Sequence, residues 1–215
     1  MIPRKLNGKP LATYGLLDIC NNHDFILIDT SAATDTTCAF LEQKERKMQM
    51  QLSIKYSGPL ELRIEYNAMI GLLMTAHELY ITELVLEEIY DYRKHKKGGL
   101  LKSIDQLIRA AEVGLGDEPK PRVISLQSTP EYDQYKQDPY LNRLAELNGL
   151  SNVDLDLLVQ FFAGTQNIYG KHALISNDRG IINTYKTFGH RLPNKNHKSF
   201  SCLFSNIYKP TFPQR

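Results

Sequence analysis

The chain has 215 residues, of which 42% are hydrophobic and 23% charged. These values are ordinary for a soluble globular domain with a sizeable core. No apolar run is long enough to span a bilayer, and the opening MIPRKLNGKP is not followed by the apolar stretch of a signal peptide. We therefore expect a cytoplasmic protein that has no membrane partner.

Charge is distributed unevenly along the chain. Residues 1–178 contain 19 Lys/Arg and 24 Asp/Glu, a net of −5, whereas residues 179–215 contain seven Lys/Arg and no acid, a net of +7, which together give the overall +2. An acidic body with a basic C-terminal segment suits a protein whose carboxylates act locally while another surface attracts a polyanion. A solvated basic tail is the alternative that charge alone leaves open.

Strand and helix signals alternate in the first half of the chain. The apolar run Phe25-Ile26-Leu27-Ile28 ends abruptly at Asp29, which is typical of a buried strand in a parallel sheet. Helical periodicity follows over residues 32–52 and, after Ser57-Gly58-Pro59, over 60–75. A short strand at 79–81 then precedes a helix that Thr82 is predicted to cap and Gly98-Gly99 to end.

The second half continues the alternation. We predict a helix over 101–113, a strand over 122–126, a helical segment over 130–148 broken at Pro139, and a helix that Ser151 begins. A strand over 172–175, a helix over 180–187, and short strands near 190–192 and within 200–204 complete the chain. This order predicts an α/β three-layer sandwich with a mostly parallel central sheet of about five strands flanked by helices.

The whole chain is assigned to one domain with three embellishments. These are an N-terminal extension to about residue 24, an enlarged helical region over about 32–76, and a basic tail from about 193. The three cysteines, Cys20, Cys38 and Cys202, are too dispersed for a disulfide framework or a zinc half-site. We expect them to be small, buried or half-buried residues.

Four acidic residues are candidates for one site. Asp29 and Asp178 each follow a predicted strand, and the carboxyl ends of neighbouring parallel strands meet in one crevice. Each of them, like Asp154 in the first turn of its helix, has a structural alternative as a helix cap. Glu88 is different, because it lies three residues from Val85 at the edge of an apolar helical stripe, where a lone carboxylate needs a partner.

Clustered carboxylates repel one another unless their pKa values rise or cations neutralise them. Oxygen-only ligands favour a hard cation, Mg²⁺ or Mn²⁺, and such sites hydrolyse phosphodiesters. Two neighbouring acids are set aside. Glu87 is predicted to point to solvent, and Asp156, which cannot share the face of Asp154, is predicted to be solvated or capping, with an auxiliary role left open.

The same residues resemble the four motifs of the PIN-domain family of metal-dependent nucleases. The matches are ILIDTS ending at Ser31, Val85-Leu86-Glu87-Glu88, LSNVDLDLL from Leu150, and Leu174-Ile175-Ser176-Asn177-Asp178-Arg179. They stand in the family's order over residues 25–192. Two departures are Ser176, where the family usually has Thr, and the longer gap between Asp29 and Glu88 than in compact toxin members.

The resemblance implies a PIN-like endoribonuclease that hydrolyses RNA with Mg²⁺ or Mn²⁺. Asp29, Glu88, Asp154 and Asp178 would then be the catalytic metal ligands or their water-mediated neighbours. Four polar residues would orient these carboxylates and their waters: Thr30, Ser31, Ser176 and Asn177. The resemblance leaves open a toxin of a toxin–antitoxin pair, a homodimer and an inhibitory protein partner.

The substrate itself is indicated only by basic residues. Those that could bind phosphates are Arg93, Lys96, Lys97, Arg179, Lys186, Arg191, Lys195 and Lys198. Two alternatives to a nuclease remain. A non-catalytic PIN-type RNA-binding module within a larger assembly has no need for four acids, and a receiver-like or phosphoryl-transfer domain that uses Asp29 alone predicts that Glu88 and Asp154 lie away from it.

Overall fold

A computed structural model describes residues 19–20, 22–34, 78–114 and 120–200. Residues 35–52 of the helix predicted over 32–52 therefore lie outside the described residues, as do the helix predicted over 60–75, Cys38, Cys202 and the tail from residue 201. Cys20 is buried, as expected. Among the helices that the structure describes, none is both long and apolar enough to cross a membrane.

Strands and helices alternate as the sequence predicts. The strands are β1 (Phe25–Ile28), β2 (Leu79–Thr82), β3 (Val123–Ile124), β4 (His172–Ile175) and β5 (His197–Phe200). The helices are α1 (Glu83–Lys94), α2 (Gly98–Glu112), α3 (Pro130–Lys136), α4 (Pro139–Leu147), α5 (Asn152–Asn167) and α6 (Arg179–Phe188), followed by a 3-10 turn at Gly189–Arg191. A helical turn over residues 30–34 directly follows β1.

All five strands are parallel and lie in the order β3-β2-β1-β4-β5. The prediction of a mostly parallel sheet of about five strands within an α/β sandwich is confirmed. The central strands β1 and β4 are buried along their whole length, in agreement with their continuous apolar sequence. From β1 the chain continues to β2 on one side, and β4 lies on the other side of β1. In such sheets ligands bind in the crevice at the carboxyl ends of these two adjacent strands, β1 and β4.

The helices form two groups that meet through α1 and α5. α1 packs on α2 and on α5, whereas α3 packs on α5 and α6 packs on both α4 and α5. The chain moves through the sheet in one direction from β1 to β3 and in the other from β3 to β5, so right-handed crossovers would place the helices before and after β3 on opposite faces. Gly164 of α5 lies so close to β1 that an added Cβ would be 2.7 Å from Cε1 of Phe25, so this position requires a residue without a side chain.

Four local predictions are corrected and one is confirmed. β5 begins at His197, ahead of the strand predicted within 200–204, of which only Phe200 is described. Gly98 and Gly99 do not end α1, which stops at Lys94; they begin α2 instead. The strand predicted near 190–192 is the 3-10 turn, and the strand predicted over 122–126 is shortened to Val123–Ile124. The break at Pro139 is present, because Asp138 caps α4 there and Pro139 needs no backbone donor.

Candidate functional site

The pairing of β1 with β4 determines the centre of the site. Ile28 is the register partner of Ile175, and the Asp29 amide donates to the Ile175 carbonyl at 3.0 Å. The next residues, Asp29 and Ser176, consequently leave the sheet side by side. The Ser176 hydroxyl donates to Oδ2 of Asp29 at 2.6 Å.

Asp29 is a buried carboxylate, with only 4% of its surface exposed. Its Oδ1 accepts the Ala32 backbone N–H at 2.6 Å, and its Oδ2 accepts the Ser31 hydroxyl at 2.9 Å in addition to that of Ser176. Burial raises the pKa of Asp29 to about 6 despite these three hydrogen bonds, and the negative charge of Asp154 adds to the increase. A buried carboxylate that three hydrogen bonds hold in one orientation is a strong candidate for pairing with a cation.

Glu88 lies close to the turn after β1 because its helix, α1, follows β2, the strand next to β1. Thr82 ends β2 and caps α1, where its hydroxyl accepts the Val85 amide at 3.3 Å as predicted. Glu88 follows the buried Val85 by three residues and therefore faces inward, whereas Glu87 is exposed as predicted. The Thr30 hydroxyl donates to Oε2 of Glu88 at 2.5 Å, which links the turn after β1 to α1.

Asp154 and Asp178 both act as caps. The Ser151 hydroxyl accepts the Asp154 amide at 3.1 Å, and the Asp154 carboxylate accepts the Ser151 amide at 2.9 Å, which completes a capping box. Asp178 accepts the Ile181 amide at 3.0 Å at the start of α6. The structural roles that the sequence left open are therefore real, and both helix starts also border the carboxyl edge of the sheet.

All four acids line one cavity of about 190 Å³. The remaining lining residues are Thr30, Ser31, Val85, Val153 and Leu157. Of the three apolar residues, Val153 and Leu157 were not singled out from the sequence; Val85 and Leu157 also belong to the core. Four carboxylates from four separate segments thus share one small space, with hydroxyl groups of the turn after β1 on one wall.

This donor set fits a hard divalent cation, because it offers only oxygen ligands around a buried carboxylate. Within the residues that the structure describes, however, no three Asp, Glu, His or Cys side chains are grouped closely enough to hold an ion directly. The hydrogen bonds explain this spacing, since each carboxylate is turned toward its own donor. Mg²⁺ usually retains several waters, so binding through water requires less rotation than direct ligation by all four acids.

The hydroxyl residues predicted to orient the site do bridge its parts. Ser31 accepts the Asn177 amide at 3.3 Å, and Ser176 accepts the Asp178 amide at 2.9 Å while donating to Asp29. The turns after β1 and β4 are thereby connected through two side chains. Asn177 contributes this backbone contact and is half-buried.

The prediction for Asp156 is wrong. Asp156 is 1% exposed and neither solvated nor capping. Its carboxylate accepts the Tyr132 hydroxyl at 2.7 Å and the Gln160 amide at 2.8 Å, and Gln160 in turn accepts the Leu126 amide at 3.0 Å. Asp156 therefore joins α5 to α3 and to the loop after β3, outside the cavity that Asp154 lines.

The predicted basic residues lie in different places. Arg93 forms an ion pair with Asp105, and Lys96 lies over the ring of Tyr92 at 3.9 Å. α1 begins at the carboxyl edge of the sheet and runs away from it. Arg93, Lys96 and Lys97 lie at or just beyond the C-terminal end of α1, which is the end farther from this edge. Their role in RNA binding stays a prediction, without support from proximity to the cavity.

The other basic residues belong to the C-terminal part. Arg179 adjoins Asp178 at the start of α6, and Lys186 lies in its last turn. The remaining three follow α6: Arg191 lies over the ring of Tyr140 at 3.8 Å, Lys195 donates to the His190 carbonyl at 2.7 Å, and Lys198 is exposed on β5.

A larger cavity, of about 750 Å³, lies at the opposite edge of the sheet. Its wall consists mainly of uncharged side chains from the end of α5 and the loop before β5, with Asp24 as its one carboxylate. It lacks the cluster of acids, and we place the candidate site in the smaller cavity because charge and burial, rather than volume, indicate chemistry.

Comparison of the chain with protein-family models, with curated proteins and with solved structures finds no match. The class of protein is therefore inferred from the fold and the site. What the structure shows is a five-stranded parallel sheet flanked by helices, with four acids lining one cavity.

Proposed function

We propose that this chain is a PIN-like, Mg²⁺- or Mn²⁺-dependent endoribonuclease. The observation that carries the proposal is the shared cavity of Asp29, Glu88, Asp154 and Asp178. Their segments are far apart in sequence, and helix capping alone would not bring all four to one place. The receiver-like alternative requires Glu88 and Asp154 to lie away from Asp29, which the shared cavity disfavours.

The residues of the chain have distinct tasks in this proposal. Ser31, Ser176 and the Ala32 amide hold Asp29 in a single orientation, and Thr30 holds Glu88. Asp154 and Asp178 are half-buried and exposed respectively, so they retain freedom to turn toward a hydrated ion. A bound divalent cation would activate water and stabilise the charge that develops on the phosphate oxygens.

Asp29 is the acid in the cavity whose negative charge would be stabilised most by a bound cation, because it is buried. Its pKa of about 6 shows that the protein around it compensates its charge incompletely. A divalent ion next to it would favour the ionised form and lower this pKa. Binding should consequently become stronger as the pH rises through 6, since fewer protons compete for the carboxylate.

The test is cleavage of a mixed RNA pool in Mn²⁺ by three proteins: wild type, Glu88→Gln and Glu87→Gln. The two variants make the same chemical change at adjacent positions, one in the cavity and one exposed on α1. We expect Glu88→Gln to reduce kcat/KM by about 100-fold or more and Glu87→Gln to change it less than about threefold. Equal activity in all three proteins would refute the proposal.

Thermal unfolding with Mn²⁺ separates the nuclease from a non-catalytic PIN-type module. An intact site binds the ion in the folded state only. At an ion concentration of 100 times the Kd, binding should stabilise the folded state by about 2.7 kcal/mol and thereby raise Tm. Asp29→Asn removes the buried charge and should abolish this increase. An unchanged Tm of the wild type in Mn²⁺ would favour the non-catalytic module.

A further inference from the structure

The outer face of α6 carries a row of polar and cationic residues that starts at the cavity. Arg179, Asn183 and Lys186 follow one another at helical spacing, and all three are exposed. The opposite face of α6 is buried through residues such as Ile181 and Tyr185. Since a ten-residue helix is about 15 Å long, the row extends about that far from Asp178.

No acidic residue lies within the segment 179–191 that carries these cations. The chain contains no Asp or Glu after Asp178. Neither Arg179 nor Lys186 forms an ion pair with another residue in the described ranges. Of the charged residues on α4, which packs on α6, the exposed Arg143 and Glu146 cancel each other. Asp138, which caps α4, adds one acid nearby, and the three cations Arg179, Lys186 and Arg191 still outnumber it.

Arg191 extends the row beyond α6. Its guanidinium lies 3.8 Å above the ring of Tyr140, which itself stacks on Phe188 at the end of α6. Stacking fixes the plane of a guanidinium while leaving N–H groups at its edge available, a favourable arrangement for a phosphate. Arg191 is exposed, so those groups face solvent.

α1 provides the contrast, because it also leaves the cavity. Its exposed residues at helical spacing are Glu83, Glu87, Asp91 and Lys94, of which the three nearer the cavity are acidic. Asp91 is paired with Lys94 at 2.6 Å, but Glu83 and Glu87 form no ion pair with a described residue. A polyanion leaving the cavity along α1 would be repelled, whereas one that follows α6 would be attracted.

We propose that Arg179, Lys186 and Arg191, the α6 track, hold the phosphodiester backbone of the RNA where it leaves the cavity. This inference rests on the proposed function and specifies the path of its substrate. The four acids of the cavity repel phosphate, so cations next to them are needed to bring the strand there. Contacts to phosphates carry no sequence information, and the track should therefore bind all sequences similarly.

The test is binding of a short fluorescent single-stranded RNA, measured by anisotropy in EDTA so that cleavage does not interfere. Lys186→Glu is compared with Lys102→Glu, an equal charge reversal at an exposed lysine of α2 in the other helix group. We expect Lys186→Glu to weaken binding by about tenfold and to reduce the slope of log K against log salt by about 0.7 for each lost phosphate contact. Lys102→Glu should remain within about twofold of wild type, and Arg191→Ala should reduce the same slope.

Three outcomes would overturn the track: equal weakening by Lys186→Glu and Lys102→Glu, unchanged binding by Lys186→Glu, or no salt-dependent binding by wild type. A single-stranded DNA of the same length should depend on Lys186 to the same degree, because the track recognises phosphates. RNA cleavage with normal binding by Lys186→Glu would refute the track alone. Binding that depends on Lys186 without any cleavage in Mn²⁺ would refute the nuclease alone.

Discussion

The Ser176 hydroxyl donates a 2.6 Å hydrogen bond to Asp29, although the two residues are 147 positions apart. The contact follows from the register of β1 and β4, which brings the first residues after both strands together. Ser31 donates to the same oxygen atom from the turn after β1. Asp29 is consequently held by two hydroxyl groups in the position where the proposed cation would bind.

Removing the Ser176 hydroxyl should weaken metal use. We expect Ser176→Ala to raise the Mn²⁺ concentration required for half-maximal cleavage by about 10- to 100-fold, the usual effect of losing a group that orients a ligand. Ser176→Thr keeps the hydroxyl and should restore most of the response. A titration of cleavage against Mn²⁺ checks this, and a change in unfolding alone, with an unaltered titration, would show that Ser176 is merely structural.

Asp29→Asn should stabilise the metal-free protein while abolishing cleavage. The native pKa of about 6, against an ordinary 3.8, means that the ionised form is disfavoured by burial. Asparagine removes that charge and retains an oxygen for the Ala32 amide, so we expect a gain of about 1–3 kcal/mol near neutral pH. Thermal unfolding in EDTA should show it as an increase of roughly 2–4 °C per kcal/mol. A decrease in Tm would contradict the argument.

Tyr132→Phe should lower stability without affecting the chemistry. The Tyr132 hydroxyl donates to the buried carboxylate of Asp156, and its loss leaves the Gln160 amide as the main donor to that charge. We expect a loss of about 1–3 kcal/mol in the free energy of unfolding. Denaturant titration measures this loss, and cleavage per folded molecule should remain at the wild-type level. A variant as stable as wild type would mean that the contact contributes nothing.

The contribution of two histidines to stability should fall as the pH decreases from about 7 to about 5, whereas the raised pKa of Asp29 acts in the opposite sense below pH 6, so wild type is compared with a histidine variant. His172 and His197 are register partners on β4 and β5, and burial lowers the pKa of both imidazoles. The folded state therefore prefers the neutral form, while the unfolded chain gains protons below its ordinary pKa of 6.5. His172→Gln should make the decline of Tm with pH shallower. An identical decline in both proteins would exclude His172 as a contributor.

Short-range patterns in the sequence predicted much of this protein. The buried strands FILI and HALI, the caps at Thr82 and Ser151, and the break at Pro139 all appear where the sequence placed them. Such features depend on side chains and amides within one helical turn of each other, or on a run of apolar residues between polar ones. The end of α1 was missed because Gly98 and Gly99 are compatible with the start of a helix as well as with its end.

Tertiary structure alone decided which of these local features meet. The sequence identified Asp29, Glu88, Asp154 and Asp178 as candidates, but it did not place Ser176 on Asp29, Thr30 on Glu88, or Asp156 against Tyr132. Those contacts depend on strand register and on the packing of helices that are distant in sequence, which the alternation of residues does not encode. The same holds for charge: the sequence determined that the C-terminal segment is basic, and the direction of α6 determined that its cations begin beside the four acids.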